Sequence, residues 1–175
     1  MVSHLTVRMD RPDLEGLPPF SLPPGYVLTH DTGDVLEEWT EFLTLCFPEN
    51  GVFDPARWRS GFLDQPQYHP RGVMFIRREG ALCATAFCWL DDPDEKETGR
   101  VHWVGVSPEY RGLGLGRQVT LAVLHHMREV ALSRAMLETQ TFRIPAVRLY
   151  LGMGFTPTPR NEVEQAEWDR FFAPP

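Results

Sequence analysis

Apolar positions change period several times along the chain, and each change predicts an element. Residues 25–29 alternate as a short strand, and Val35, Leu36, Trp39, Phe42, Leu43 and Cys46 then recur at helical spacing behind Asp34, a candidate cap. Pro48 ends that helix. A second short helix is expected from Asp54-Pro55 to about residue 63, with Trp58 and Phe62 four apart. Residues 73–76 and 82–90 read as strands joined at Arg77-Arg78-Glu79-Gly80, where Gly80 suits a hairpin turn. Residues 100–107 form another strand. From 115 to 132 the period becomes helical through Leu115, Val119, Ala122, Val123, Met127 and Val130. A strand over 135–141, a short helix over 145–153 and a strand opened by Phe155 follow, and Trp168, Phe171 and Phe172 predict a C-terminal helix or tail.

A strand, a long helix and a second strand make a crossover with parallel strands, whereas the preceding hairpin is antiparallel. The expected fold is therefore α/β, of the α+β type, with a mixed sheet. Residues 1–24 carry Pro12, Pro18, Pro19, Pro23 and Pro24, which remove donors and predict an extended arm that holds no central strand or long helix. A domain over 25–160 and a tail over 161–175 complete the expected organisation.

Composition narrows the class. At 175 residues one core is expected, and 42% apolar with 23% charged residues is ordinary globular usage. A formal charge of -7 disfavours a nonspecific grip on nucleic acid. No run of apolar residues approaches the ~20 needed for a membrane span, so a cytoplasmic protein is expected, with no membrane partner. Cys46, Cys83 and Cys88 lack paired ligand spacing and read as core thiols. The histidines show no ligand arrangement with acidic or thiol partners, so no metal is implied.

The chemistry concentrates at Val104-Gly105-Val106-Ser107-Pro108-Glu109-Tyr110-Arg111-Gly112-Leu113-Gly114-Leu115-Gly116-Arg117, a glycine-rich turn between a buried strand and a helix start. Free amides at a helix N-terminus point outward with the positive end of the dipole, and missing side chains let a phosphate approach them. The glycine spacing differs from the dinucleotide fingerprint, and the Lys-Ser/Thr ending of a P-loop is absent.

This stretch resembles the central motif of the GNAT superfamily of N-acyltransferases at Arg111, Gly114 and Gly116. Residues 146–155, Ala-Val-Arg-Leu-Tyr-Leu-Gly-Met-Gly-Phe, resemble its second cofactor motif. The resemblance implies a mostly antiparallel sheet flanked by helices, with one parallel strand pair splayed to admit the pantetheine arm of acetyl-CoA or another acyl-CoA. It implies main-chain contacts at Val104 and Val106, and a pyrophosphate on the amides of Arg111, Gly112, Leu113, Gly114, Leu115, Gly116 and Arg117. Tyr150 matches the tyrosine that returns a proton to the leaving thiolate. Arg143 stands where the family often has Asn, and is expected to reach a CoA phosphate, an acceptor carboxylate or solvent.

A lysine-like amine with a pKa of ~10.4 is almost entirely protonated at pH 7, so acyl transfer to it needs a proton acceptor, direct or through water. His102 is the first candidate base, because it shares strand parity with Val104 and Val106, and Glu138 is the second. Trp39, Phe42, Phe47, Trp58 and Phe62 are expected to pack a core, with one or two bordering an acceptor pocket. The expected function is transfer of a short acyl group to a primary amine, with a non-catalytic acyl-CoA sensor as the alternative. A homodimer is plausible from open sheet edges.

Overall fold

The computed structural model describes residues 5–174. Its elements in chain order are β1 (Val7–Arg11), β2 (Tyr26–His30), α1 (Leu36–Cys46), α2 (Pro55–Trp58, continued by a π turn Arg59–Leu63), β3 (Val73–Arg78), β4 (Ala81–Trp89), β5 (Thr98–Val106), α3 (Leu115–Glu129), β6 (Arg134–Thr139), α4 (Ile144–Leu151), β7 (Thr156–Pro157) and α5 (Glu162–Phe172). The strands form one seven-stranded sheet in the order β2-β3-β4-β5-β6-β1-β7. Every neighbouring pair is antiparallel except β5 with β6. This is the mixed, mostly antiparallel sheet expected from the sequence.

Local chemistry explains several boundaries. Asp54 caps α2 by accepting from the Arg57 amide at 2.8 Å, and Asn161 caps α5 by accepting from the Glu164 amide at 2.9 Å. The β3–β4 hairpin turns through Glu79 at φ 52° and Gly80 at φ 85°, the positive pair of a tight two-residue turn. Asp34 does not cap α1: Val35 holds that position, and the Asp34 carboxylate instead accepts from the Thr32 hydroxyl. A local turn bond has outcompeted the cap.

The expectation that residues 1–24 hold no central strand is corrected. β1 sits between β6 and β7, pairing Val7 with Thr139 and Met9 with both Leu137 and Pro157. All the prolines of the arm follow β1, so its amides remain available, and Val7 and Met9 alternate into the core.

The sheet has two differently filled faces. Met74 and Ile76 of β3 point to an aliphatic cluster with Leu115, Val119 and Val123 of α3. Their neighbours Val73 and Phe75 point the other way, to an aromatic cluster with Trp39, Phe42 and Trp58 from α1 and α2. Trp39 is fully buried, meeting Trp58 at 5.2 Å and Phe75 and Phe87 at 5.4 Å, all edge to face. Such pairs add about 0.5–1.5 kcal/mol each beyond area burial.

Two irregularities in β5 shape the site. Its parallel ladder with β6 runs only through Thr98, Gly99 and Arg100, so from Val101 onward the two strands part. On the other side the register with β4 slips between Thr85/Gly105 and Phe87/His102, and Trp103 takes a left-handed φ of 47°. An extra residue bulged into one strand reverses which face the following side chains meet.

Candidate active site

The glycine-rich turn opens from the end of β5. Ser107 donates from its amide to the Cys83 carbonyl at 3.0 Å, a short 3-10 turn follows over Pro108–Tyr110, and α3 begins after Gly114. Gly114 is the N-cap at φ 76° and makes no side-chain cap bond. The first helical bond runs from the Gln118 amide to the Gly114 carbonyl at 3.2 Å, so the amides of Leu115, Gly116 and Arg117 precede any i−4 acceptor. A Cβ built on Gly112 or Gly114 would meet no atom within 4 Å. The outer side of the turn is thus an open row of donors at the positive end of a helix.

This turn lines a cleft of about 700 Å³ whose near wall is β5 from Val104 to Val106 and whose far wall is α4 with Phe142 before it. Arg111, Gly112, Gly114, Leu115, Gly116, Arg117, Arg143 and Tyr150 all border it, whereas Leu113 does not and is half exposed. The Arg111 guanidinium donates to the Val106 carbonyl at 3.3 Å, tying the turn to the strand end. Gly105 permits the close approach of α1 to β5: a Cβ there would lie 3.3 Å from Cys46 and from the Phe47 ring.

A smaller cleft of about 280 Å³ lies further along the opening between β5 and β6. It shares Phe47, Val104, Arg143, Ala146 and Tyr150 with the larger one, and adds Thr6, Asn50, His102, Trp103 and Glu138. Tyr150 stands where the two meet, 7% exposed. Burial pushes its phenol up to about 12, and the Arg143 charge acts in the opposite direction. The phenol is therefore protonated around neutral pH.

Arg143 is held where the clefts meet. It pairs with Glu49, donates from Nε to Gln140 Oε1 at 2.8 Å, and lies over the Phe47 ring at 5.1 Å. A free surface Arg is thereby excluded, and its charge faces Tyr150 as well as the larger cleft.

The strand-parity argument for His102 is corrected. Val101 packs with the α3 cluster, Val104 and Val106 pack against that same cluster, and His102 and Trp103 lie between them on the aromatic face. The bulge at Trp103 separates His102 from the parity of Val104. The His102 ring rests against Phe62 at 5.5 Å and Phe87 at 5.1 Å. Burial, reinforced by the Arg100 charge, pulls its pKa down to about 3. It lines the smaller cleft as a neutral ring and a weak base. Glu138 also lines that cleft, but its two oxygens are engaged by Arg100 and Arg160.

Thr6, Glu49, Asn50 and Trp103 were not found from sequence. Phe47 was named there only as a member of the aromatic set, whereas His102, Val104, Glu138, Arg143 and Tyr150 were singled out individually. Cys46 and Cys83 are buried and Cys88 is half-buried, all as free thiols. Among the described residues no group of three or more His, Cys, Asp or Glu is placed to hold a metal ion, and no helix is long and apolar enough to cross a membrane.

A parallel pair that opens beside an amide-lined turn, with a tyrosine at the opening, defines the class. The chain belongs to the GNAT family of acetyltransferases, whose family model matches residues 35–155. It is similar to a mycothiol acetyltransferase of Thermobispora bispora, at 36% identity over 160 residues, covering 85% of this chain and 52% of that protein. A mycothiol acetyltransferase of Thermomonospora curvata is 35% identical over 161 residues, covering 87% and 52%. Among solved structures, a GCN5-related N-acetyltransferase from Sphaerobacter thermophilus shares the fold with a TM-score of 0.69 at 19% identity, covering 88% of this chain and 48% of that one. The chain spans about half the length of the curated relatives it matches.

Proposed function

We propose that the protein transfers an acetyl or other short acyl group from acyl-CoA to a primary amine by direct attack in a ternary complex. The observation that carries this reading is the junction of the two clefts at Tyr150, one cleft walled by unpaired amides and the other by polar side chains. The larger cleft fits the cosubstrate: its open glycine positions and free amides suit a pyrophosphate, and the unladdered edge of β5 suits a pantetheine amide.

When bound, the thioester supplies an activated acyl carbon and a thiolate leaving group. The chain's own residues do the rest. Amides of Leu115, Gly116 and Arg117 hold the diphosphate, with Arg111 and Arg117 adding charge. Backbone near Val104 orients and polarises the acyl carbonyl. The amine loses a proton to water in the smaller cleft, because His102 and Glu138 are poorly suited to accept it. The neutral amine then attacks the acyl carbon and forms the carbon–nitrogen bond; as the carbon–sulfur bond breaks, Tyr150 donates its phenolic proton to the sulfur and regains the second amine proton through water.

The test has two stages. CoA at a hundredfold its Kd should add ~2.7 kcal/mol to the folded state, while ATP and NAD at the same concentration add little. Acetyl-CoA with a panel of primary amines should then release free CoA thiol. A second reading, a non-catalytic acyl-CoA sensor, is favoured by the lack of an unencumbered base; binding without thiol release for every amine would establish it. The edge of β2, which among the described residues pairs with β3 alone, suits a homodimer, which sedimentation equilibrium checks.

A further inference from the structure

Among the described residues, two ion pairs cross the opening between β5 and β6. Arg100 of β5 reaches Glu138 of β6 where the ladder ends, and Arg143, just before α4, reaches Glu49 from the far side of the opening. The smaller cleft lies between the two pairs: Arg100, Glu138 and Arg143 line it, as do Phe47 and Asn50, which flank Glu49 in the chain. Glu49 itself borders neither cleft, so any effect it has on the chemistry passes through Arg143.

A rigid turn presents Glu49. It stands in the 3-10 turn Pro48–Asn50, closed by the Asn50 amide donating to the Phe47 carbonyl at 2.9 Å and the Gly51 amide donating to the Pro48 carbonyl at 3.2 Å. Pro48 fixes its own φ. The turn hangs from Phe47, which is buried against Trp103 of β5 with ring centres 5.3 Å apart. The carboxylate is thereby fixed to the β5 wall, while the guanidinium it holds belongs to the wall made by β6 and α4.

Arg143 needs such an anchor. Its side chain is 24% exposed, and it is held besides by one bond from Nε to Gln140 and by the faces of Phe47 and Phe142, at 5.1 and 5.3 Å. A guanidinium so far out of water, left without a carboxylate, gains by swinging its head to solvent. It would then leave the Tyr150 phenol, whose proton affinity the Arg143 charge lowers against the larger opposing effect of burial. We infer that Glu49 is a positioning residue for acyl transfer: by pinning Arg143 across the opening, it holds a cation beside the Tyr150 phenol while that phenol gives up its proton. The inference rests on the acid role proposed for Tyr150.

The test measures kcat with acetyl-CoA and whichever amine of the panel turns over fastest, and the acetyl-CoA Kd by calorimetry. Glu49→Ala, at an exposed position, should lower kcat about tenfold with Kd within about threefold and Tm nearly unchanged. Glu49→Gln, which keeps an acceptor oxygen without the charge, should fall between Glu49→Ala and the wild type. A double-mutant cycle decides the route: in an Arg143→Gln background, Glu49→Ala should change kcat by less than about twofold. The full loss persisting in that background would show that Glu49 acts on substrate or structure directly, and would overturn the inference, as would wild-type kcat in Glu49→Ala. A rise in kcat would overturn it too, by showing that Glu49 masks the Arg143 charge instead of placing it. Failure of the underlying reading looks different: if no amine turns over, or if Tyr150→Phe keeps wild-type kcat, the acid step itself is lost and the inference falls with it.

Discussion

The two clefts that meet at Tyr150 are made of different materials. One wall of the larger is main chain, a strand edge, a left-handed glycine cap and the first amides of α3, drawn from one stretch of sequence, and its far wall is α4. The smaller is walled by side chains from separate segments, among them Thr6, Asn50, Trp103 and Glu138. Backbone donors are common to every residue type and depend only on dihedral angles, so a turn suffices to make them. A side-chain pocket depends on which segments the sheet brings together. The first should therefore be sensitive to changes of local backbone and bulk, and the second to changes of charge and proton affinity.

The largest expected effect lies at their junction. Tyr150→Phe should lower kcat by about 10²–10³-fold with the acetyl-CoA Kd within about threefold, read by steady-state kinetics and calorimetry. An unchanged kcat would remove the phenol from the chemistry. Gly114→Asp tests the main-chain wall: Asp tolerates the left-handed region, so the fold should survive, while bulk and like charge weaken CoA by about 100-fold, or about 2.7 kcal/mol. Circular dichroism and calorimetry together separate loss of fold from loss of ligand.

A smaller effect distinguishes two roles for Arg143. Without its charge the phenol of Tyr150 is pushed further up and becomes a weaker acid, so Arg143→Gln should lower kcat by about tenfold with little change in CoA affinity. If CoA affinity falls instead and kcat holds, Arg143 serves the cofactor wall. The smallest kinetic effect is expected at His102→Gln, with kcat within about threefold and no limb near pH 6.5 in the wild-type profile; such a limb would restore His102 as the base.

His102 does contribute a signature in stability. Its folded pKa, about 3, lies below the ordinary value of about 6.5, so the unfolded chain binds the extra proton first as pH falls. Stability should decline from about pH 6.5 towards pH 3, by at most about 1.4 kcal/mol per pH unit from this group, and His102→Gln should flatten that slope in urea titrations.

The relation between sequence and structure follows the same division. The turn at 111–117 was legible because its strand, glycines and helix are contiguous and each has a local signature. The hairpin at Glu79-Gly80, the cap at Asp54 and the periodicity of α3 were legible for the same reason. β1 was hidden by the prolines beside it, since five residues of alternation acquire meaning only between β6 and β7. Arg143 drew notice as a departure from a motif, yet its partner Glu49 lies far away in the chain.

What the amino-acid sequence determined by itself was the mixed sheet, the helix that follows β5 and the anion-ready turn between them, because dihedral preference and hydrophobic period act over a few neighbouring residues. What only the tertiary structure decided was the face on which His102 lies, the depth of the splay and the lining of the smaller cleft. Each depends on register: the slip opposite Thr85 and Phe87 reorders the faces of β5, and the ladder to β6 ends after Arg100. Register is a property of paired strands, settled by how two faces pack at once, and neither strand carries it alone.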